Sequence, residues 1–316
     1  MPINADKPHL WKKDVAASVD LYNDWFMRFA PKAYRDARKE AINRVQEAIQ
    51  LTKNLTLLNP ELLKANPSVL PTLRMCTAPP IARDRLAGLA HVGKHLLISM
   101  EGGKIPPRMG AEKLTEQCQS IAEILVKLLD YDIFPWLEEN HQSTEIEQLR
   151  AATIVADRLC GTVSDPIIRN AQEQRQLTLI AAYLKKRDYR ESLHKSGLSF
   201  TDLSPGTFAF RMNVVAGEDR TVNIPVDVIV QPHRPHTSRL PILIEAKSAG
   251  DFTNTNKRRK EEATKVNQLR ARYGTDLQFV LFLCGYFDTG YLGYEAAEGI
   301  DWIWEHRIED MEQFGI

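Results

Sequence analysis

The chain has 316 residues, 43% of them hydrophobic and 26% charged, with 41 basic and 41 acidic side chains. That composition fits one large globular domain or two moderate ones and excludes a low-complexity or fibrous chain. Because the charges balance, a polyanionic partner has to be met by a local patch. No apolar run approaches a membrane span, and the opening Met1-Pro-Ile-Asn-Ala-Asp-Lys-Pro-His-Leu10 lacks the apolar core of a secretion signal. A cytoplasmic location with no membrane association is the expectation. Cys76, Cys118, Cys160 and Cys284 form no Cys-x-x-Cys pair and sit in apolar surroundings, which predicts free buried thiols.

From residue 10 to 165 the pattern is helical. Apolar residues at helical spacing run from Val15 to Phe29, and Pro31 is expected to end or kink that helix. A second helix is predicted over 32–51, with Ala37, Ala41, Val45 and Ala48 on its apolar side. The prolines at 60, 67, 71, 79 and 80 leave room only for short helical turns. Helices over 114–129 and 145–159 follow. Near Pro166 the character changes. A helix is predicted over 170–187, then strands over 207–215 and 221–230 joined by a hairpin loop at 216–220. A strand over 240–247, a charged helix over 257–273 and a strongly apolar strand over 277–284 complete the series. Three antiparallel strands followed by a helical crossover make a mixed sheet with helices on its faces. The expected organisation is a helical region over 1–165 and a mixed α/β region over 166–316.

The strand ending Pro241-Ile-Leu-Ile-Glu245-Ala-Lys247 places an acid and a base two positions apart, hence on one face. No other Asp or Glu is followed two positions later by a Lys. Alone, the pair reads first as a strand-end ion pair. Asp227 changes that reading. It interrupts a run in which Val222, Ile224, Val226, Val228 and Val230 alternate, and an acid in such a strand needs a partner. Pro225, tolerated at an edge or bulge, is expected to bend the strand beside it. With the two strands adjacent, Asp227, Glu245 and Lys247 meet at one end of the hairpin. Two carboxylates suit Mg²⁺, which takes hard oxygen ligands and retains waters. Such an ion polarises a phosphate and acidifies a bound water, while a lysine orients or helps deprotonate that water and counters charge on phosphorus. The pattern matches the PD-(D/E)xK nuclease signature, and the predicted element order strengthens the match.

The neighbours of this triad carry two readings each. Glu173, on the helix before the sheet, is either a further acid of the site or a solvated helix residue. The helix after the sheet carries Lys257, Arg258, Arg259, Lys260, Lys265, Arg270 and Arg272 against Glu261 and Glu262, an excess suited to phosphate contact. The amides of Asn254 and Asn256 could read base edges or cap their own loop. Gly285 to Tyr294 is aromatic-rich and could line a DNA cleft or pack a core. Gly88 to His95 falls short of a phosphate-binding loop, having His95 where Ser or Thr is needed and no preceding strand. The pairs His91/His95 and His233/His236 lack a third metal ligand.

Long blocks of the chain resemble the XamI-type group of type II restriction endonucleases. They are Asn4 to Trp11, Asp165 to Glu173, Glu245 to Glu262 and Phe279 to Phe287. The resemblance implies a PD-(D/E)xK core and a Mg²⁺-dependent enzyme that cuts double-stranded DNA within a short palindrome resembling GTCGAC. It also implies a partner methyltransferase that protects the host. Asp227, Glu245 and Lys247 match the family pattern without departure, and Glu173 is its extension. A palindrome implies two-fold symmetry, hence a homodimer, with the helical region as a surface for dimerisation or for clamping DNA. The alternatives are a structure-specific repair or recombination nuclease of the same fold and a DNA-binding protein that does not cut.

Overall fold

The computed structural model describes residues 2–139, 141–192, 199–217, 222–234, 240–253 and 255–316, with 256–259 described in backbone only. It divides into two compact units: Met1–Phe29 with Arg169–Ile316, and Ala30–Ile168. In chain order the helices are α1 (Pro8–Leu51), α2 (Pro60–Ala65), α3 (Leu70–Met75), α4 (Arg83–Leu89), α5 (Lys94–Glu101), α6 (Ala111–Lys127), α7 (Pro135–Glu138) and α8 (Glu145–Lys185). Then follow β1 (Arg190–Glu191), β2 (Thr207–Ala216), β3 (Val222–Gln231), β4 (Ile242–Ala249), α9 (Thr255–Tyr273), β5 (Phe279–Gly285), α10 (Thr289–Ala297) and β6 (Asp301–Trp304).

The Ala30–Ile168 unit is all helical around one core that includes Val45, Leu70, Leu73, Leu97, Cys118, Ile121, Phe134, Val155 and Leu159. Its short elements between 60 and 75 are those the prolines leave room for: α2 and α3 each carry Pro in their first turn, where the missing N–H has no helical partner in any case. Elsewhere proline misleads. Pro31 lies inside a continuous α1 and does not end it, and Pro166 lies inside a continuous α8 that spans both helices predicted over 145–159 and 170–187. Each proline instead sits within three residues of a boundary between the units. The first 29 residues, grouped with the helical region in the sequence reading, belong to the sheet unit.

The six strands lie in the order β1-β2-β3-β4-β5-β6. β2, β3 and β4 pair antiparallel, and β4, β5 and β6 pair parallel, as expected of a mixed α/β fold. Strands β1 and β6 and helix α10 were not foreseen. The anticipated hairpin loop at 216–220 lies largely outside the described residues.

Both faces of the sheet are covered. Leu281 and Leu283 of β5 point into one core with Leu243, Val266, Leu269, Trp302 and Trp304. Val280 and Phe282 point into the other with Ile180, Leu184, Ile244 and Ile303. The even-numbered residues of β3 do not keep to one side. Ile224 and Val226 join the first core, whereas Val228 and Val230 join the second. β2 makes the same change, with Phe208 and Phe210 against the second core and Met212 and Val214 in the first. The switch falls at Arg211, whose φ is +52°, opposite Asp227. A strongly twisted hairpin therefore replaces the simple alternation read from the sequence.

Candidate active site

The site begins where β3 and β4 part. Val228, Ile229 and Val230 pair with Ile244, Leu243 and Ile242, and beyond Val228 no strand pairing joins them. Pro225 sits in the stretch of β3 that pairs with β2 alone, so its missing N–H leaves no ladder bond unmade on the β4 side. In the opening, the Asp227 carboxylate takes the place of the ladder: its Oδ2 accepts from the backbone N–H of Ala246 at 2.9 Å. This fixes Asp227 beside Glu245. Burial, reinforced by the Glu245 charge, raises the Asp227 carboxyl to about 6, against the opposing pull of the Ala246 N–H and of Lys247.

Glu245 is 6% exposed and has its two oxygens in different states. Oε1 accepts from the Lys247 ammonium at 3.0 Å and from Lys265 of α9 at 2.7 Å. Oε2 is buried without a hydrogen-bond partner. Lys247 also reaches Glu262 Oε1 at 3.0 Å. The strand-end ion pair thus exists, but as one link in an alternating chain, Lys265–Glu245–Lys247–Glu262. Burial works to lower the Lys247 ammonium, and Glu245 and Glu262 together outweigh it, so the group is raised and stays protonated. A role as donor and counter-charge fits that state better than proton abstraction.

A bare carboxylate oxygen on Glu245 beside the Asp227 carboxyl fits a hard divalent cation that keeps most of its waters. Among the described residues no three His, Cys, Asp or Glu side chains form a ready-made cage. An all-protein cage is not what Mg²⁺ requires.

Glu173 reaches this end of the sheet from α8, and its charge helps hold the Asp227 proton. Its Oε1 accepts from Arg211 Nη2 at 2.8 Å, so it is paired. Lys260 is exposed on α9, while Asn254 and the side chains of Asn256, Lys257, Arg258 and Arg259 lie outside what the structure describes. Three further cations of the basic helix are committed elsewhere. Lys265 binds Glu245, Arg270 donates to the carbonyls of Glu298 and Gly299, and Arg272 donates to that of Gly217.

Arg211, Glu262 and Lys265 were not singled out in the sequence reading. For the last two a signal existed. Glu262, Val266 and Leu269 recur at helical spacing and all three are buried, with Lys265 beside them, so this pair belongs to the inward face of α9. Counting the net charge of the helix hides that face. Nothing in the sequence marks Arg211, because neither Gly nor Asn announces its positive φ. His91 ends up with positive φ and Lys94 pairs with Asp84 at 3.0 Å, consistent with discounting a phosphate loop there. His233 contacts the Tyr189 ring and the Arg187 carbonyl, and His236 lies outside the described residues.

Comparison with known proteins bears on what this arrangement does. The chain matches the family described as XamI restriction endonuclease over residues 53–304. It is 58% identical over 313 residues to the type II restriction enzyme SalI of Streptomyces albus G, covering 99% of each chain. Among solved structures, protein VC1899 from Vibrio cholerae aligns over 86% of this chain and 55% of its own at 11% identity. The TM-score of that alignment is 0.29.

Proposed function

We propose that this chain, which belongs to the XamI restriction endonuclease family, hydrolyses double-stranded DNA at a short palindrome resembling GTCGAC with Mg²⁺ held by Asp227 and Glu245. The observation that carries the metal assignment is the buried, unpartnered Oε2 of Glu245 beside Asp227. When bound, the ion supplies a Lewis acid at the scissile phosphate. The protein's own part follows from the contacts. Ala246 N–H holds Asp227 in place, and two ammonium groups on Oε1 hold Glu245 with Oε2 open. Lys247, protonated, offers a remaining N–H to the attacking water or to a phosphate oxygen and offsets the charge that gathers on phosphorus. Water forms the new P–O bond and gives its proton to solvent, the bond from phosphorus to the 3′ oxygen breaks, and that oxygen takes a proton from solvent, so the products are a 5′-phosphate and a 3′-hydroxyl.

Glu173 is proposed as a further acid of the site, and Asn254, Asn256, Lys257, Arg258, Arg259 and Lys260 are proposed to meet DNA. The helical unit is proposed to clamp DNA or to join two copies, since a palindrome calls for a homodimer. A methyltransferase of the same specificity would protect the host, and the enzyme would act in the cytoplasm. No described helix is long and apolar enough to cross a membrane.

Cleavage of supercoiled and linear plasmid in Mg²⁺ tests the reading, with Glu245→Ala and Lys247→Ala as controls. Discrete fragments from linear duplex, lost in both variants, are expected, and end mapping reads the site and cut position. Variants that cut as well as wild type would sink the triad assignment. Cutting confined to branched DNA would favour a structure-specific nuclease. Specific binding in Ca²⁺ with no cutting in Mg²⁺ or Mn²⁺ would favour a non-cleaving binder.

A further inference from the structure

We propose that Glu262 and Lys265 of α9 are positioning residues of the catalytic site, Glu262 for the Lys247 ammonium and Lys265 for the Glu245 carboxylate. The proposal rests on the nuclease reading of Asp227, Glu245 and Lys247. Its ground is the asymmetry at Glu245. Lys247 and Lys265 both donate to Oε1, at 3.0 and 2.7 Å, and neither touches Oε2. Two cations on one oxygen fix the rotation of the carboxylate and leave the other oxygen bare and buried. One lysine alone would leave that rotation free.

Glu262 does the matching work on Lys247. It is 2% exposed, its Oε1 lies 3.0 Å from the Lys247 ammonium, and its Oε2 has no hydrogen-bond partner. Lys247 has three N–H donors. Glu245 and Glu262 take two, which aims the third. On stability grounds alone this arrangement is poor. The neighbouring inward positions of α9 are Val266 and Leu269, and a buried acid with a bare oxygen costs more than an apolar side chain there. A pair of charges on the core face of a helix, each ending on a triad member, is therefore a second layer of the site that positions the first.

The test uses the full chain, with turnover and KM for a cognate plasmid, calorimetric Mg²⁺ binding to the DNA-free protein, and thermal midpoint for each variant. Glu262→Ala is expected to lower kcat about 10- to 100-fold with KM for DNA unchanged. Glu262→Gln, whose amide oxygen still accepts from Lys247, is expected to restore most of that loss. Lys265→Met should lower kcat, and should tighten Mg²⁺ binding about threefold or more by removing a cation from the ligand carboxylate. Lys265→Arg should return the wild-type Mg²⁺ affinity. The proposal is overturned if Glu262→Ala and Lys265→Met keep wild-type kcat and Mg²⁺ affinity. It is equally overturned if kcat falls only in step with the thermal midpoint and neither conservative variant rescues. Wild-type cutting by Glu245→Ala would instead overturn the nuclease reading beneath it.

Discussion

Asp227 carries a charge in a place that resists it. Burial and the adjacent Glu245 raise its carboxyl from the ordinary 3.8 to about 6, and the Ala246 N–H and Lys247 recover only part of the difference. The sign for stability follows from linkage. The unfolded chain releases this proton near 3.8, while the metal-free folded protein keeps it to about 6. Between those values the unfolded state sheds the proton first and gains. The penalty is thus absent below pH 4, grows through the window and is full above pH 6, at up to about 3 kcal/mol. Asp227→Asn keeps an oxygen for the Ala246 N–H and removes the charge. In EDTA the variant should melt higher than wild type at pH 8 and equal to it at pH 4, by thermal melts across that range. An equal midpoint at both pH values would contradict the assignment. Activity should show the same group from the other side. Cleavage should fall as pH drops through 6, and raising Mg²⁺ should move that limb to lower pH, because the ion competes with the proton for the Asp227 carboxylate.

The elements around the site were legible to different depths. Strands β3, β4 and β5 announce themselves, since β-branched alternation and an unbroken apolar run are what a sheet covered on both faces requires. Glu245 and Lys247 follow from period two, and Asp227 from its intrusion into an apolar strand. Three features escaped. Pro31 is expected to end or kink its helix and the character to change near Pro166, but α1 and α8 run on through both. The face switch at Arg211 depends on one positive φ at a residue type that gives no warning. The net charge of α9 conceals two charges, Glu262 and Lys265, on its inward side. Gly285, by contrast, holds a position that only glycine can fill. It ends β5 at φ +99°, and a Cβ there would lie 2.1 Å from the Ala249 carbonyl oxygen. Both partners are backbone, so the clash cannot be relieved by a side-chain turn. Gly285→Ala should cost about 3 kcal/mol or more in urea unfolding and should impair cutting by shifting the end of β4, two residues beyond Lys247. A loss under 1 kcal/mol would mean that the two strand ends yield more easily than this contact allows.

At the scale of the whole chain, the least legible feature is the place of the first 29 residues. They show no strand pattern, and their helical period alone places them with the helices that follow. Polar contacts decide otherwise. Asn4, buried, donates from Nδ2 to the Trp302 carbonyl at 2.8 Å and to Asp310 at 3.0 Å, and accepts from Arg307 at 2.6 Å. The Asp301 carboxylate receives the backbone N–H groups of Ile3, Asn4 and Ala5. Further along α1, Asp14 pairs with Arg307 at 3.0 Å and the Ser18 hydroxyl accepts from the Gly285 N–H at 2.8 Å. The N-terminal segment therefore braces β6, two strands from β4, and the end of β5, the strand next to β4, without supplying any group to the triad. Asn4→Ala would leave a carbonyl, a carboxylate and a guanidinium each short of a partner in a buried setting. The expected loss is about 3 kcal/mol of unfolding free energy. Tryptophan fluorescence can read this in the right place, because Trp11, Trp25, Trp302 and Trp304 lie in the sheet unit and Trp136 alone in the helical one. The fluorescence midpoint in urea should fall, while kcat measured well below that midpoint should stay near wild type, since no contact to Asp227, Glu245 or Lys247 is lost. A lowered kcat in fully folded protein would show instead that the brace sets the geometry of the site as well as its stability.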